Sequence, residues 1–188
     1  NRMNNLSTML AKKQVIAAVR SEDELNKALA SNVSVVFLLK SSIFDFTAKI
    51  NHIKNSGKYC FIHSDLIDGI GNDAAGIEYL IREADPDGII TTKKNIAQRA
   101  ASLGCPAILR VFMLDSASYE SSVHLISLLR PAGVEILPGL MPKIISRAKA
   151  DFSVPIISGG LITSQNEVEE AIAAGASAVS TTAYELWK

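Results

Sequence analysis

A parallel α/β barrel of eight strands, with its last helix cut short, is the fold this sequence predicts. Three observations predict it. Short apolar runs alternate with helical stretches along the whole chain, giving eight strands with seven full helices between them. Runs such as SVVFLL (34–39) and PAILRVFML (106–114) are too continuously apolar for a sheet with one wet face, and suit burial on both faces. The last two strands end in backbone-rich loops, VPIISGG (154–160) and ASAVSTT (176–182). In a (β/α)8 barrel the loops after strands seven and eight lie side by side and form a phosphate site.

The elements follow in order. QVIAAV (14–19) is the first strand, and SEDELNKALA opens the first helix with Ser21 as N-cap and Glu24 at the capping-box position. SVVFLL is the second strand. Residues 43–57 carry apolar side chains at Ile43, Phe46, Ile50 and Ile53 and stop at Gly57, which predicts a helix. YCFIHSDL (59–66) is the third strand, with a helix over 74–84 after a polar loop. DGIITT (87–92) and PAILRVFML are the fourth and fifth strands; their helices run to Leu103 and over 116–129. VEILPG (134–139) is the sixth strand, followed by a helix over 142–150, and PIISGG the seventh, with a helix starting near Ser164. AVSTT is the eighth strand. Only AYELWK follows Thr182, so Trp187, a terminal turn or a partner subunit (a homodimer) must cover the surface a final helix would occupy. Residues ahead of Gln14 receive no element.

One domain over 1–188 accounts for the length, and no linker, repeat or low-complexity segment divides it. Hydrophobic residues make up 48% and charged residues 20%, a globular and not a disordered composition. Lys+Arg and Asp+Glu are 19 each, so no net charge draws the chain to nucleic acid, and any RNA contact must come from a local basic patch. Cys60 and Cys105 lie in apolar runs without metal-like spacing and read as reduced thiols of a cytoplasmic protein. No apolar stretch reaches membrane-spanning length, and the run after Lys12 and Lys13 is too short for a signal peptide.

Barrels carry their chemistry at the C-terminal ends of strands. Those positions offer His63, Asp65 and Asp68 on the third unit, and Thr91, Thr92 and Lys93 on the fourth. Arg110 and Asp115 lie on the fifth, Glu135 on the sixth, and Gly159, Gly160, Ser180, Thr181 and Thr182 on the last two. Glycines let a backbone approach an anion, and a helix N-terminus just beyond adds attraction. Arg110 and Glu135 interrupt apolar strands on neighbouring units; they read as an ion pair inside the barrel, as ligand contacts, or as both. His63 and Asp65 alone make no metal site. There is no Ser/His/Asp set, no cysteine with a base, and no strand-borne lysine placed to form a Schiff base. The glycines of DGIGND do not match a dinucleotide fingerprint.

Read in order, the segments HSDL, DGIITTK, FMLDS, EILPG, SGGLI and AVSTT…LW resemble the glycerol uptake operon antiterminator regulatory proteins over nearly the whole chain. Lys40-Ser41-Ser42 departs from that pattern, which is richer in glycine and acid there. The resemblance implies a TIM barrel that binds leader mRNA in response to glycerol 3-phosphate, with no cofactor, no metal and no catalytic residue. It implies that Gly159, Gly160, Ser180 and Thr181 hold the phosphate, and that Glu135, Arg110, Asp65 and His63 line the polyol end. Glu135 would accept from a ligand hydroxyl. Candidate RNA contacts are Lys93, Lys94 and Arg99 on the fourth unit, and Lys143, Arg147 and Lys149 on the sixth helix. No RRM, KH or arginine-rich motif adds to them. Two alternatives remain at this level: a phosphate-dependent TIM-barrel enzyme acting on a small glycerol or triose phosphate, with Glu135 or His63 as base, and a degenerate barrel serving as a scaffold.

Overall fold

The apolar runs close on themselves. The computed structural model describes residues 6–188. Its strands in chain order are β1 (Val15–Val19), β2 (Val35–Leu38), β3 (Ser41–Ser42), β4 (Tyr59–His63), β5 (Ile67–Asp68), β6 (Gly88–Thr91), β7 (Ala107–Phe112), β8 (Gly133–Leu137), β9 (Ile156–Gly159) and β10 (Ala178–Thr181). All but β3 and β5 form one closed barrel of parallel strands, in which β1 pairs with both β2 and β10. β3 and β5 pair with each other on the rim.

The helices are α1 (Leu6–Lys12), α2 (Glu22–Ala30), α3 (Phe46–Asn55), α4 (Ala74–Ala84), α5 (Lys94–Ser102), α6 (Ser116–Leu129), α7 (Pro142–Asp151) and α8 (Gln165–Ala174). α2 to α8 connect successive barrel strands and pack on their outward residues. The chain is a TIM barrel.

Alternation along each strand separates two layers. Cys60, Ile62, Leu109, Val111, Val134, Ile136 and Val179 face the helices. Ile16, Ala18, Val35, Phe37, Phe61, Ile90, Ile108, Ile157 and Ala178 fill the interior. The same alternation carries His63, Arg110, Glu135, Gly159 and Ser180 inward at the C-terminal end, where the apolar filling stops.

Three features differ from the sequence expectations. LSTMLAK, given no element, folds as α1. Leu6, Met9 and Leu10 recur at helical spacing and join the interior cluster, so α1 plugs the N-terminal mouth. The helix expected from Ile43 begins only at Phe46, because residues 41–45 are drawn into the β3–β5 pair and a tight turn. The eighth unit ends in a 3₁₀ turn, Tyr184–Leu186, and Trp187 takes the place of a final helix. Trp187 is 1% exposed, its indole N–H donates to the Thr181 carbonyl at 2.9 Å, and its own carbonyl accepts from the Asn32 amide at 3.3 Å. The capping box predicted at α2 is also modified: Ser21 accepts from the Glu24 amide, but the Glu24 carboxylate turns to the Arg20 amide at 2.6 Å.

Candidate functional site

Glu135 is the centre of the C-terminal mouth. It sits mid-strand in β8, in register with Arg110 of β7 and Ile157 of β9, and is 1% exposed. Its Oε1 accepts from Arg110 Nη2 at 3.2 Å and from the Ser180 hydroxyl at 3.4 Å. Burial pushes its carboxyl above the usual carboxylate range; Arg110 and Ser180 pull the other way without cancelling the shift. The ion pair read from sequence therefore exists, and one oxygen of it is left over.

Glycine at 159 is a packing requirement. A Cβ there would lie 2.4 Å from Glu135 Oε1 and 2.6 Å from Ser180 Oγ. The chain then turns through Gly160 (φ 83°) and Leu161 (φ 65°), both left-handed. The Gly160 carbonyl accepts from the Gly139 amide at 3.0 Å, tying this loop to the one after β8. Ser164 caps α8 in a full capping box with Glu167. The Thr181 hydroxyl is engaged between loops: it donates to the Ile162 carbonyl at 2.7 Å and accepts from the Ala183 amide at 3.0 Å. Thr181 thus clamps the β9 and β10 loops together, with Gly159 and Ser180 buried over Glu135 and Gly160 half-buried at the edge of the mouth.

Opposite, His63 ends β4 and is buried. Burial, with the Arg110 charge beside it, lowers its pKa to about 4 against the opposing pull of Asp65, so the imidazole is neutral at physiological pH. Asp65 behaves differently from its neighbour. Burial pushes its carboxyl up, but the bonds it accepts hold it below the usual range. They come from the Thr91 hydroxyl (2.6 Å), the Thr92 amide (2.8 Å) and the Thr92 hydroxyl (2.8 Å). Its carboxylate knots the turn after β4 to the end of β6 and shapes the mouth from behind.

Three buried polar atoms in this cluster lack a hydrogen-bond partner: Glu135 Oε2, Arg110 Nε and His63 Nδ1. Orphaned buried groups of this kind are uncommon and cost free energy. An acceptor, a donor and an imidazole nitrogen, bounded by the two glycine- and serine-bearing loops, suit a small ligand with hydroxyls at one end and an anion at the other. Among the described residues no three His, Cys, Asp or Glu side chains gather as a metal site needs.

Comparison with known proteins decides the family. The family model described as glycerol-3-phosphate responsive antiterminator matches residues 15–187. The chain belongs to that family. It is 33% identical to a glycerol uptake operon antiterminator regulatory protein from Listeria monocytogenes, with a TM-score of 0.90 over 93% of this chain and 95% of that one. It is 34% identical to a glycerol uptake operon antiterminator-related protein from Thermotoga maritima, with a TM-score of 0.83 over 93% and 98% of the two chains. It is also similar to the uncharacterized protein YgcP of Escherichia coli K12, 35% identical over 179 residues, which are 95% of this chain and 94% of that one.

For an antiterminator the cations matter as much as the mouth. Lys93 and Lys94 open α5 at the mouth, and among the described residues no carboxylate pairs with either. Arg99 is bound to Glu78 and faces α4. Arg147 lies 4.1 Å from the Tyr119 ring and 3.7 Å from Asp151, and the Lys149 stem packs against Gly175. Lys143 is exposed in the first turn of α7. The six candidates therefore do not form one patch, and three of them are held in local contacts. The sequence reading named Asp68 and Lys40 but not Arg20 or Phe44, because it ran a helix from Ile43 through the turn that carries Phe44. No helix of the described residues is long and apolar enough to cross a membrane.

Proposed function

We propose that the chain binds glycerol 3-phosphate in the C-terminal mouth and, in response, binds leader mRNA of a glycerol-uptake operon so that transcription continues past a terminator. Gly159, Gly160 and Ser180 face the phosphate, and Thr181 holds their loops in place. Glu135, Arg110 and His63 take the hydroxyl end, with Asp65 positioning the rim. The effector is the ligand; no cofactor and no chemical step enter the reading. The observation that carries it is the trio of unpartnered atoms at Glu135, Arg110 and His63, beside the two anion-suited loops of a family defined by its response to glycerol 3-phosphate.

Two measurements test the proposal. Calorimetric titration should show glycerol 3-phosphate binding far tighter than glycerol or inorganic phosphate alone. A mobility shift with the leader transcript should change when glycerol 3-phosphate is added; an RNA affinity indifferent to it would sink the regulatory reading. One observation favours a second reading. A buried carboxyl with a raised pKa beside a neutral imidazole is also how a barrel enzyme moves protons next to a phosphate-bearing carbon. Turnover of a triose or glycerol phosphate, abolished in Glu135→Gln, would establish that reading; none is expected.

A further inference from the structure

The rim between β2 and β4 builds a second feature, which shares Asp65 with the mouth. A cavity of about 560 Å3 opens there, lined by Arg20, Leu39, Lys40, Leu66 and Asp68 together with Asp65 and Ile67. Beside it, directly after Lys40, the chain makes a tied turn. β3 pairs with β5, and the Ile43 amide donates to the Asp68 carbonyl at 2.7 Å. The Ser42 amide donates to Asp45 Oδ1 at 2.7 Å, the Asp45 amide to the Ser42 carbonyl at 3.1 Å, and the Phe44 amide to the Ser42 hydroxyl at 3.3 Å. At its tip Phe44 is 95% exposed. The turn is held by four hydrogen bonds and the β3–β5 pairing while presenting an aromatic ring to water.

The charges around the ring have a pattern. Lys40 is exposed and no carboxylate pairs with it among the described residues. Arg20 leans on Glu24 at 2.7 Å with more than half of its side chain in solvent. Lys93 and Lys94 lie on the next barrel unit. Asp65 is consumed by Thr91 and Thr92, which leaves the exposed Asp68 as the open acceptor of the groove. Cations for a phosphate chain, a flat ring for a base, and an acceptor for a base N–H or a ribose 2′-hydroxyl are the parts that single-stranded RNA recognition uses. A paired duplex offers Phe44 no base to stack on.

We propose that this groove is the docking site for a short single-stranded stretch of RNA, stacked on Phe44 with its phosphates on Lys40 and Arg20. The inference rests on the RNA-binding reading above and gives that reading a surface. Fluorescence anisotropy with the labelled leader transcript, free and annealed to its complement, measures it in the full chain with glycerol 3-phosphate present. Phe44→Ala and Lys40→Ala, both at exposed positions, should each weaken binding of the free transcript about tenfold, as loss of one stacked base or phosphate contact does. The rise in melting temperature caused by glycerol 3-phosphate should stay unchanged in both variants. Wild-type affinity in both variants overturns the groove and leaves RNA binding itself standing. A wild-type chain that binds no leader transcript overturns the parent reading and the groove with it. Sedimentation supplies the remaining check: if Phe44→Ala turns a dimer into a monomer without touching RNA affinity, the ring serves a second copy and the proposal is wrong.

Discussion

Glu135 is where sequence, fold and ligand chemistry meet in one side chain. A glutamate inside an apolar strand is costly unless something pays for its charge, and Arg110 with Ser180 satisfies only Oε1. The free Oε2 wants a donor. A secondary alcohol supplies one and a ketone does not, so the mouth should prefer glycerol 3-phosphate to dihydroxyacetone phosphate; a site built to bond a hydroxyl rejects the analogue lacking it. Glu135→Gln should lower glycerol 3-phosphate affinity about 10- to 100-fold in a calorimetric titration, the size expected for a hydrogen bond to a charged group, and should narrow the gap to the ketone. Affinity within twofold of wild type would remove Glu135 from the site. His63 gives a pH prediction. Its folded pKa, about 4, lies below the ordinary imidazole value of 6.5. The unfolded chain therefore binds more protons between those two values, and the stability His63 contributes is present above pH 6.5 and lost as pH falls toward 4. His63→Asn should flatten the denaturation free energy across that window relative to wild type; an unchanged slope would show that His63 is not the group responsible.

At the scale of elements the least regular parts carry the most consequence. Trp187 does the work of a missing helix: one side chain, fully buried in the helix-facing layer, bonded to Thr181 of β10 and, through its carbonyl, to the α2–β2 loop. Trp187→Ala should cost about 3–5 kcal/mol in urea denaturation, the range for emptying a large core site; a loss under 1 kcal/mol would mean that the end of the barrel is covered some other way. Its burial was legible only as a need, because the sequence shows a helix missing and a tryptophan available but not their contact. The barrel strands were legible because their apolar runs are long and their spacing regular. Helices α4 and α6 fall where the sequence places them, at 74–84 and 116–129. Helix α1 was not, since seven residues hold too few periodic positions to stand out, and its purpose, closing the barrel floor, exists only once the barrel does. The rim turn at 41–45 was misread for a related reason: Ile43 fits the spacing of α3, and only the pairing of Ser41 and Ser42 with Ile67 and Asp68 takes it out of the helix. In the candidate site, charges interrupting apolar strands on neighbouring units made Arg110 and Glu135 readable as a pair, whereas the Ser180 bond to Glu135 was not. That Asp65 and Thr181 are consumed by local bonds depends on loop geometry that spacing does not encode.

For the whole molecule, the two ends of the barrel have opposite characters. One is stopped by α1. At the other, exposed apolar side chains recur from loop to loop: Phe44 after β2, Leu66 after β4, Leu114 after β7, Leu140 after β8 and Leu161 after β9. The Glu135, Arg110 and His63 cluster lies within that ring and the Lys40 groove on its edge. Asp65 belongs to both, lining the groove while its carboxylate fastens the end of β6 beside His63. A ligand that orders the β9 and β10 loops and loads Arg110 and Glu135 changes the field at His63, and through the Asp65 knot bears on the groove wall. If glycerol 3-phosphate and RNA are coupled in this way, the coupling is a free energy shared by two sites, and it must be reciprocal. Whatever factor glycerol 3-phosphate adds to RNA affinity, saturating RNA must add to glycerol 3-phosphate affinity. The expected factor is about 5- to 150-fold, the usual span of such couplings. Titrating glycerol 3-phosphate into the free chain and into the chain saturated with leader transcript measures one arm, and anisotropy with and without glycerol 3-phosphate measures the other. Thr91→Ala should lower both factors together by loosening one of the three bonds on Asp65, with little change in either affinity measured alone. A Thr91→Ala chain that keeps the full factor in both arms would place the coupling elsewhere in the mouth, and a wild-type effect seen in one arm only would mean that the two ligands do not share one equilibrium.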